Sequence, residues 1–452
     1  MTNGLPLLNK LLYTSDMIGG QAVVQARNLW LLFFLAPPKA EGDAVVPGVA
    51  LGPIDVDARV FVGALLTAGR LIEAFDDPII GWWSDRTKSR WGRRLPFIVL
   101  STPFWAIFFM LLWFTPVEGA SIVNAIWVFV ILELFFLSNT ASIGPYESLL
   151  PEIARSHRDR MSIVAWQFYF GILGAVLGLV LSGVVQDEFG FKVMGVLMGV
   201  MGLGFRFLGV GGVWSHAPRE TPPAQMPLKG AFLATLANRQ FLYFLPTFVL
   251  FQLSATMTLG WMPFFVEAIL ESENEGTMTS ALTGTALIGM MVAVFVMWKL
   301  SHTKGKRWVY SNSLLATAVI LPIMFLVGLV PGIPVLAQGV VVAFLVGLPM
   351  GGVNLMPRAI TADITDYDEI RTGMRREAMF FTTQNLFEKI GSSFSALFLA
   401  LILLLGETAD DPLGIRLLGP VAGVIALVGY FAFRGYRLPS TVTPESVKEA
   451  GL

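Results

Sequence analysis

Several ionisable side chains of this chain sit where they are most expensive, inside long apolar runs. Residues 58–83 are hydrophobic overall, yet carry Arg70, Glu73, Asp76 and Asp77. Within a lipid-spanning helix such a group costs about 2.5–3.5 kcal/mol on insertion scales, so it faces a cavity or a partner. At about 100° per residue, Arg70, Glu73 and Asp77 share one helix face and Asp76 points elsewhere. Two carboxylates one turn apart form half a cage of oxygen ligands for a hard cation such as Na⁺. Alternatively, burial and a neighbouring like charge let one of them hold a proton. A structural ion pair with Arg70 accounts for the same residues equally well.

Other apolar runs contain charges too: Asp16 and Arg27 in the first, Glu133 in the fourth, Arg206 in the sixth, and Glu388 with Lys389 in the eleventh. Arg27 and Arg206 read as helix-packing partners or as side chains that snorkel toward the interface. Lys389 follows Gln384 and Asn385 well inside an apolar helix. There it can act as counter-charge for the carboxylates of residues 58–83, or as a contact for an anionic or hydroxylated solute.

These residues must be positioned by membrane-spanning helices. The chain has 452 residues, of which 55% are hydrophobic and only 14% charged, and its mean hydropathy is +0.68. Apolar stretches long enough to cross a bilayer lie near 11–36, 58–83, 96–115, 122–146, 161–186, 193–214, 241–266, 279–299, 309–331, 334–358, 378–405 and 413–434. Lysine and arginine are unevenly shared between the connecting loops. Arg86, Lys88, Arg90, Arg93 and Arg94 follow span 2; Arg155, Arg158 and Arg160 follow span 4; Lys304, Lys306 and Arg307 follow span 8; Arg371, Arg375 and Arg376 follow span 10. Because short cytoplasmic loops retain basic residues, this pattern places both termini in the cytoplasm and demands an even number of spans. The segment 215–240 holds Pro218, Pro222, Pro223 and Pro227 and reads as a cytoplasmic linker. It separates a six-helix bundle over 1–214 from a second over 241–434, with a cytoplasmic tail from 435 to 452. The basic loop after span 2 has a shorter echo at His302 to Arg307, the duplication expected when two halves alternate access around a midplane site. Gly171, Gly174 and Gly178 are spaced for close helix approach and carry no functional weight. Met1 to Lys10 lack the pattern of a removable signal peptide.

Composition also removes classes of function. With 31 basic and 32 acidic residues there is no concentrated positive face for nucleic acid. The absence of cysteine excludes disulfides, thiolate metal sites and cysteine nucleophiles. His157, His216 and His302 all fall in or beside loops, so no nucleophile, base and orienting group converge and an enzyme is not expected. A sensor would need an output domain larger than the short tail.

The run from Asp77 through Gly81-Trp82-Trp83-Ser84-Asp85-Arg86 to Gly92-Arg93-Arg94-Leu95-Pro96 resembles a signature of the glycoside-pentoside-hexuronide:cation symporters. These form the melibiose-permease branch of the major facilitator superfamily. Two further stretches agree, Pro145-Tyr146-Glu147-Ser148-Leu149-Leu150-Pro151-Glu152 and Ala362-Asp363-Ile364-Thr365-Asp366-Tyr367-Asp368-Glu369 with Thr372 to Glu377. The likeness covers the chain from Tyr13 to span 12, with the long outer loop Pro37 to Asp57 as an addition. It implies an all-α major facilitator fold of twelve transmembrane helices in two six-helix bundles. It also implies a cation site at Glu73, Asp77 and Thr140 for Na⁺ or H⁺, with Glu73 standing where the family commonly has aspartate. Lys389 matches the family's span 11 lysine, and Asp16 falls near a sugar-contacting aspartate. Where sugar-transporting relatives have an aspartate before Pro-Tyr this chain has Ile143-Gly144, and where they have a span 5 arginine it has Gln167. Glu133, Glu147 and Gln167 are therefore the alternative solute contacts.

The expectation is a monomeric secondary transporter of the bacterial inner (plasma) membrane, coupling Na⁺ or H⁺ to import of a sugar-like or glycoside-like solute without any cofactor. Asp85, Arg86 and Arg94 are candidate gating charges at its cytoplasmic mouth. A symporter of a lysolipid or other amphipathic solute, and a proton-coupled efflux antiporter, are the alternatives.

Overall fold

The apolar runs form helices because a backbone surrounded by lipid must satisfy its own N–H and C=O groups. The computed structural model describes residues 5–38, 44–51, 54–87, 89–154, 157–217, 228–272, 274–373, 376–439, 442–449 and 451. Within some of those helices particular side chains, including those of Asp77, Asp85 and Arg86, lie outside what is described. The chain forms two compact units, Met1–Gln225 with Asn274–Ser280, and Met226–Glu273 with Ala281–Leu452.

The first unit contains α1 (Leu7–Thr14), α2 (Asp16–Leu35), α3 (Ala58–Arg86), α4 (Leu95–Leu111), α5 (Ile122–Glu147), the short α6 (Leu150–Ile153), α7 (His157–Val176) and α8 (Ser182–Val213). The outer loop before α3 folds into a two-stranded antiparallel hairpin, β1 (Val49–Leu51) with β2 (Ile54–Val56), with Val49 opposite Val56. Asn124 fastens this loop: its amide donates to the carbonyls of Val45, Val117 and Gly119.

Glycine decides how α2 packs. A Cβ on Gly178 would lie 2.5 Å from the Ala22 carbonyl oxygen, and one on Gly19 would lie 2.8 Å from Gly202 Cα. Gly174 likewise meets the Ile18 carbonyl, whereas Gly171 meets nothing within 4 Å. Two of the three spaced glycines therefore make the helix crossing and the third does not. At one end of the unit Tyr13 and Tyr146 stack 4.8 Å apart. Each donates its hydroxyl to the other's carbonyl, at 2.9 and 2.5 Å.

Spans 5 and 6 are joined more tightly than the sequence suggests. Helical structure runs from Ser162 to Val213 and is interrupted in conformation at Gly190, whose φ of 80° suits glycine. The segment Asn274–Ser280 also belongs to this unit, and Asp187 caps its helix by accepting from Gly276 N and Thr277 N at 2.7 and 2.5 Å.

The second unit contains α9 (Leu228–Leu236), α10 (Arg239–Phe265), most of α11 (Glu275–Lys304), α12 (Lys306–Ile320), α13 (Val335–Leu355), α14 (Pro357–Thr372), α15 (Glu377–Ser393), α16 (Ser395–Leu403), α17 (Leu413–Phe433) and the short α18 (Pro444–Glu449). The prolines of the linker, 218–227, lie outside the described residues, and the segment after them is helical as α9. Asn238 then caps α10, accepting from Gln240 N and Phe241 N. After span 10 the sequence reads as loop, yet α14 continues as helix because Pro357 occupies its first turn, where its missing N–H is harmless. Span 11 is broken at Phe394 into α15 and α16. Phe241, Phe244, Tyr310, Phe380, Phe433 and Tyr436 form an aromatic core.

Among the described residues, eight helical stretches are by length and composition able to cross a membrane: Ile122–Glu147, Ser162–Val213, Arg239–Leu270, Glu275–Lys304, Lys306–Leu326, Val335–Thr372, Met379–Leu403 and Leu413–Phe433. Helices α2 and α3 are 20 and 29 residues long and carry the charges described above.

Candidate functional site

Arg27 of α2, Arg70, Glu73 and Asp76 of α3, and Glu133 of α5 form one group inside the first unit. Glu73 is buried, at 6% exposure, and so is Thr140, at 2%. Asn28, one residue after Arg27, accepts from two guanidinium groups, Arg70 at 2.7 Å and Arg27 at 3.0 Å. Arg27 also lies over the faces of Phe135 and Phe136, 5.4 and 5.0 Å from the ring centroids. Glu133 enters from α5 at a notch left by Gly69, where a Cβ would stand 2.7 Å from its Oε1. Among the described residues that oxygen has no hydrogen-bond partner. The charges of Glu73 and Asp76 act on Glu133, and those of Arg70 and Glu73 act on Arg27. Cations and carboxylates from three helices are thus gathered where low dielectric makes each interaction strong.

Sequence reasoning anticipated the carboxylates but missed Asn28 and Gly69. A polar residue directly after an intramembrane arginine was the available signal for Asn28. Nothing in the sequence distinguishes Gly69 from the other glycines. Among the described residues, no three His, Asp or Glu side chains converge in a way that could hold a metal ion. The expected monovalent-cation site needs only two carboxylates and a hydroxyl, and one of those carboxylates, Asp77, has a side chain outside the described set.

The remaining candidates are dispersed. Asp16 is fully buried and pairs with Arg206 at 2.7 Å, each side chain 1% exposed. Arg206 also donates to Ser142 and lies 4.1 Å over the Trp105 ring. Asp16 Oδ2 has no hydrogen-bond partner among the described residues. Glu147 is exposed at the last position of α5. It stands roughly 21 Å along the helix from Glu133 at 1.5 Å per residue, so the structure separates these two carboxylates. Gln167 is half-buried on α7, and Arg94 is half-buried at the N-cap of α4.

Lys389 is half-buried on α15 in the second unit. Its neighbour Glu388 accepts from Gln252 of α10 at 2.7 Å, and Gln384 accepts from Thr361 at 2.6 Å. Gln252 is a polar contact that the sequence did not single out. The stretch 362–377 supplies ion pairs. Lys306 donates to both oxygens of Asp363, at 2.6 and 2.7 Å. Fully buried Asp368 pairs with Arg376 at 2.5 Å and accepts from Asn238.

The long apolar helices, with buried charges held inside them, make this an integral membrane protein, and its relatives define it as a transporter of the major facilitator fold. The family described as MFS/sugar transport protein matches residues 54–411, and the chain belongs to it. An uncharacterized symporter of Synechocystis is 24% identical, over 88% of this chain and 86% of its own length. The isoprimeverose transporter of Lactiplantibacillus pentosus is 22% identical, over 77% and 73%. The sodium-dependent lysophosphatidylcholine symporter 1 of Xenopus tropicalis is 34% identical over 125 residues, 27% of this chain and 23% of that protein. The crystal structure of the nucleoside transporter NupG shares the fold with a TM-score of 0.63 at 11% identity, covering 95% of this chain and 99% of that one. The protein is a transporter of the symporter class.

Proposed function

We propose that this protein couples the downhill entry of Na⁺ or H⁺ to uptake of an organic solute, most simply a sugar or glycoside. It would do so as twelve spans in two six-helix halves, with both termini cytoplasmic, in a bacterial inner membrane. The observation that carries the reading is the buried Glu73 in the charge cluster of α2, α3 and α5, since groups so costly in lipid persist where they bind something.

In this mechanism the cation takes Glu73, Asp77 and Thr140, screens the repulsion between the carboxylates and fixes the face of α5. Solute binds against that face, with Glu133, Gln167 and Asp16 as the candidate polar contacts of the first unit; Lys389 of α15 is the candidate contact of the second. Glu147, roughly 21 Å along α5 from Glu133, lies too far away to share that contact set. Asp85, Arg86 and Arg94 latch one conformation of the access cycle.

A second solute class is supported by one specific observation: the span 4 aspartate and span 5 arginine of sugar carriers are here Ile143-Gly144 and Gln167, and a lysophosphatidylcholine symporter is among the relatives. An amphipathic solute would need fewer charged contacts than a sugar.

The test is linkage. If cation and solute are coupled, each raises the other's affinity by the same factor. Purified protein is titrated with sugars, glycosides and lysolipids at high and zero Na⁺ and at several pH values, with binding read by thermal shift. Solute affinity that does not change with either ion refutes coupling.

A further inference from the structure

One cavity of the first unit lies apart from the charge cluster. It has a volume of about 300 Å³ and is lined by Arg90, Trp91, Leu95 and Trp214. A turn closed by Gly92 N donating to Ser89 O, with Gly92 at φ 92°, presents Arg90 and Trp91. The Arg90 guanidinium lies 5.9 Å from the Trp91 ring centroid, and the Trp91 and Trp214 rings are 5.6 Å apart. Trp91 packs on the apolar core around Tyr13 and Tyr146, which fixes the inner wall. Arg90 is exposed and Trp214 is 37% exposed, so the mouth is open.

The pocket sits where α4 begins and α8 ends, and the ends of membrane-spanning helices are where a bilayer's headgroups meet a protein. Indole rings favour that level. Charge complementarity identifies the occupant. The connection entering α4 carries Lys88, Arg90, Arg93 and Arg94 with no acidic residue after Asp85, and basic segments beside membrane helices attract anionic lipid. On the same two helices Leu100 and Leu208 are 62% and 51% exposed, so both helices offer apolar surface to acyl chains.

We propose that this pocket binds the phosphate headgroup of an anionic phospholipid. Arg90 pairs with the phosphodiester through charge-assisted hydrogen bonds, and Trp91 and Trp214 form the walls. The site is separate from solute recognition and stands whichever solute or ion the protein carries.

The test uses full-length protein in mild detergent, depleted of lipid and titrated with phosphatidylglycerol while thermal unfolding is followed. Phosphatidylglycerol should raise the unfolding temperature, and the concentration giving half the effect should rise about tenfold in Arg90→Ala and in Trp214→Ala, the loss of one strong contact. Arg434→Ala, which removes an exposed positive charge at the end of α17, should titrate like the parent. Phosphatidylcholine, whose choline cation offsets the charge of its phosphodiester, and inorganic phosphate, which lacks acyl chains, should at equal concentration give clearly smaller shifts than phosphatidylglycerol. The proposal is overturned if Arg90→Ala responds like the parent, if phosphatidylcholine is as effective, or if inorganic phosphate reproduces the shift. Phosphatidylglycerol retained through purification gives a second readout: depletion in Arg90→Ala supports the site, and equal retention in both proteins counts against it.

Discussion

Replacing Arg206 by methionine should destabilise the first unit severely, and replacing Asp16 as well should restore most of the loss. The two side chains are each 1% exposed and meet at 2.7 Å. Removing one partner of such a pair leaves an uncompensated buried charge and costs about 3–5 kcal/mol, whereas replacing both by apolar groups is often neutral. The two single variants are not equivalent. Without Asp16, Arg206 keeps Ser142 and the face of Trp105, so Asp16→Ala falls at the low end of that range. Without Arg206, Asp16 keeps no described partner, because its Oδ2 already lacks one, so Arg206→Met falls at the high end. For a unit of this size roughly 2–4 °C of melting temperature corresponds to 1 kcal/mol, giving a drop of roughly 6–20 °C for the single variants. Thermal unfolding of the purified proteins in detergent reads the order. A double variant, Asp16→Ala with Arg206→Met, no more stable than the sum of the singles would refute the pairing argument. The same double variant separates stability from recognition: if Asp16 contacts solute, a folded double variant binds none, and normal binding removes Asp16 from the solute site.

Three other outcomes follow from the packing and the cation site. Gly178→Ala puts a methyl 2.5 Å from a backbone oxygen of α2 and should lower stability by about 1–3 kcal/mol, while Gly171→Ala, in open space, should raise it by up to about 1 kcal/mol; equal melting temperatures would contradict the crossing. Arg376→Met should destabilise the second unit by about 3–5 kcal/mol. Arg371→Met, whose partner Asp368 is 3.9 Å away and whose own side chain is 43% exposed, should change it by less than about 1 kcal/mol. Asp77→Asn should abolish concentrative uptake in vesicles, and normal accumulation by a well-expressed variant would remove Asp77 from the cation site.

Much of this protein is legible in its residue order. Burial in lipid imposes a hydropathy signal about twenty residues long at each crossing, and charges such as Glu73 and Glu133 stand out against it. Turn chemistry is less visible. The single Gly190 reversal replaces an expected loop. Helix α14 extends where polar residues suggest an end, because a helix can remain helical beyond the apolar region once its polar side chains find ion partners, as Asp363 and Asp368 do.

Partner choice is the part hidden from the sequence. Arg206 and Asp16 are 190 positions apart, and nothing local indicates that they meet; Arg27 and Arg70 converge on an asparagine that periodicity treats as one polar residue among several. Composition and order along single helices are enough to establish that the chain lives in a membrane, which spans bear charge, and which motifs it shares with its family. They do not establish which charges neutralise one another or which glycine opens the notch for Glu133. Those outcomes depend on where helices cross in three dimensions, and small side chains anywhere along both helices set the crossing.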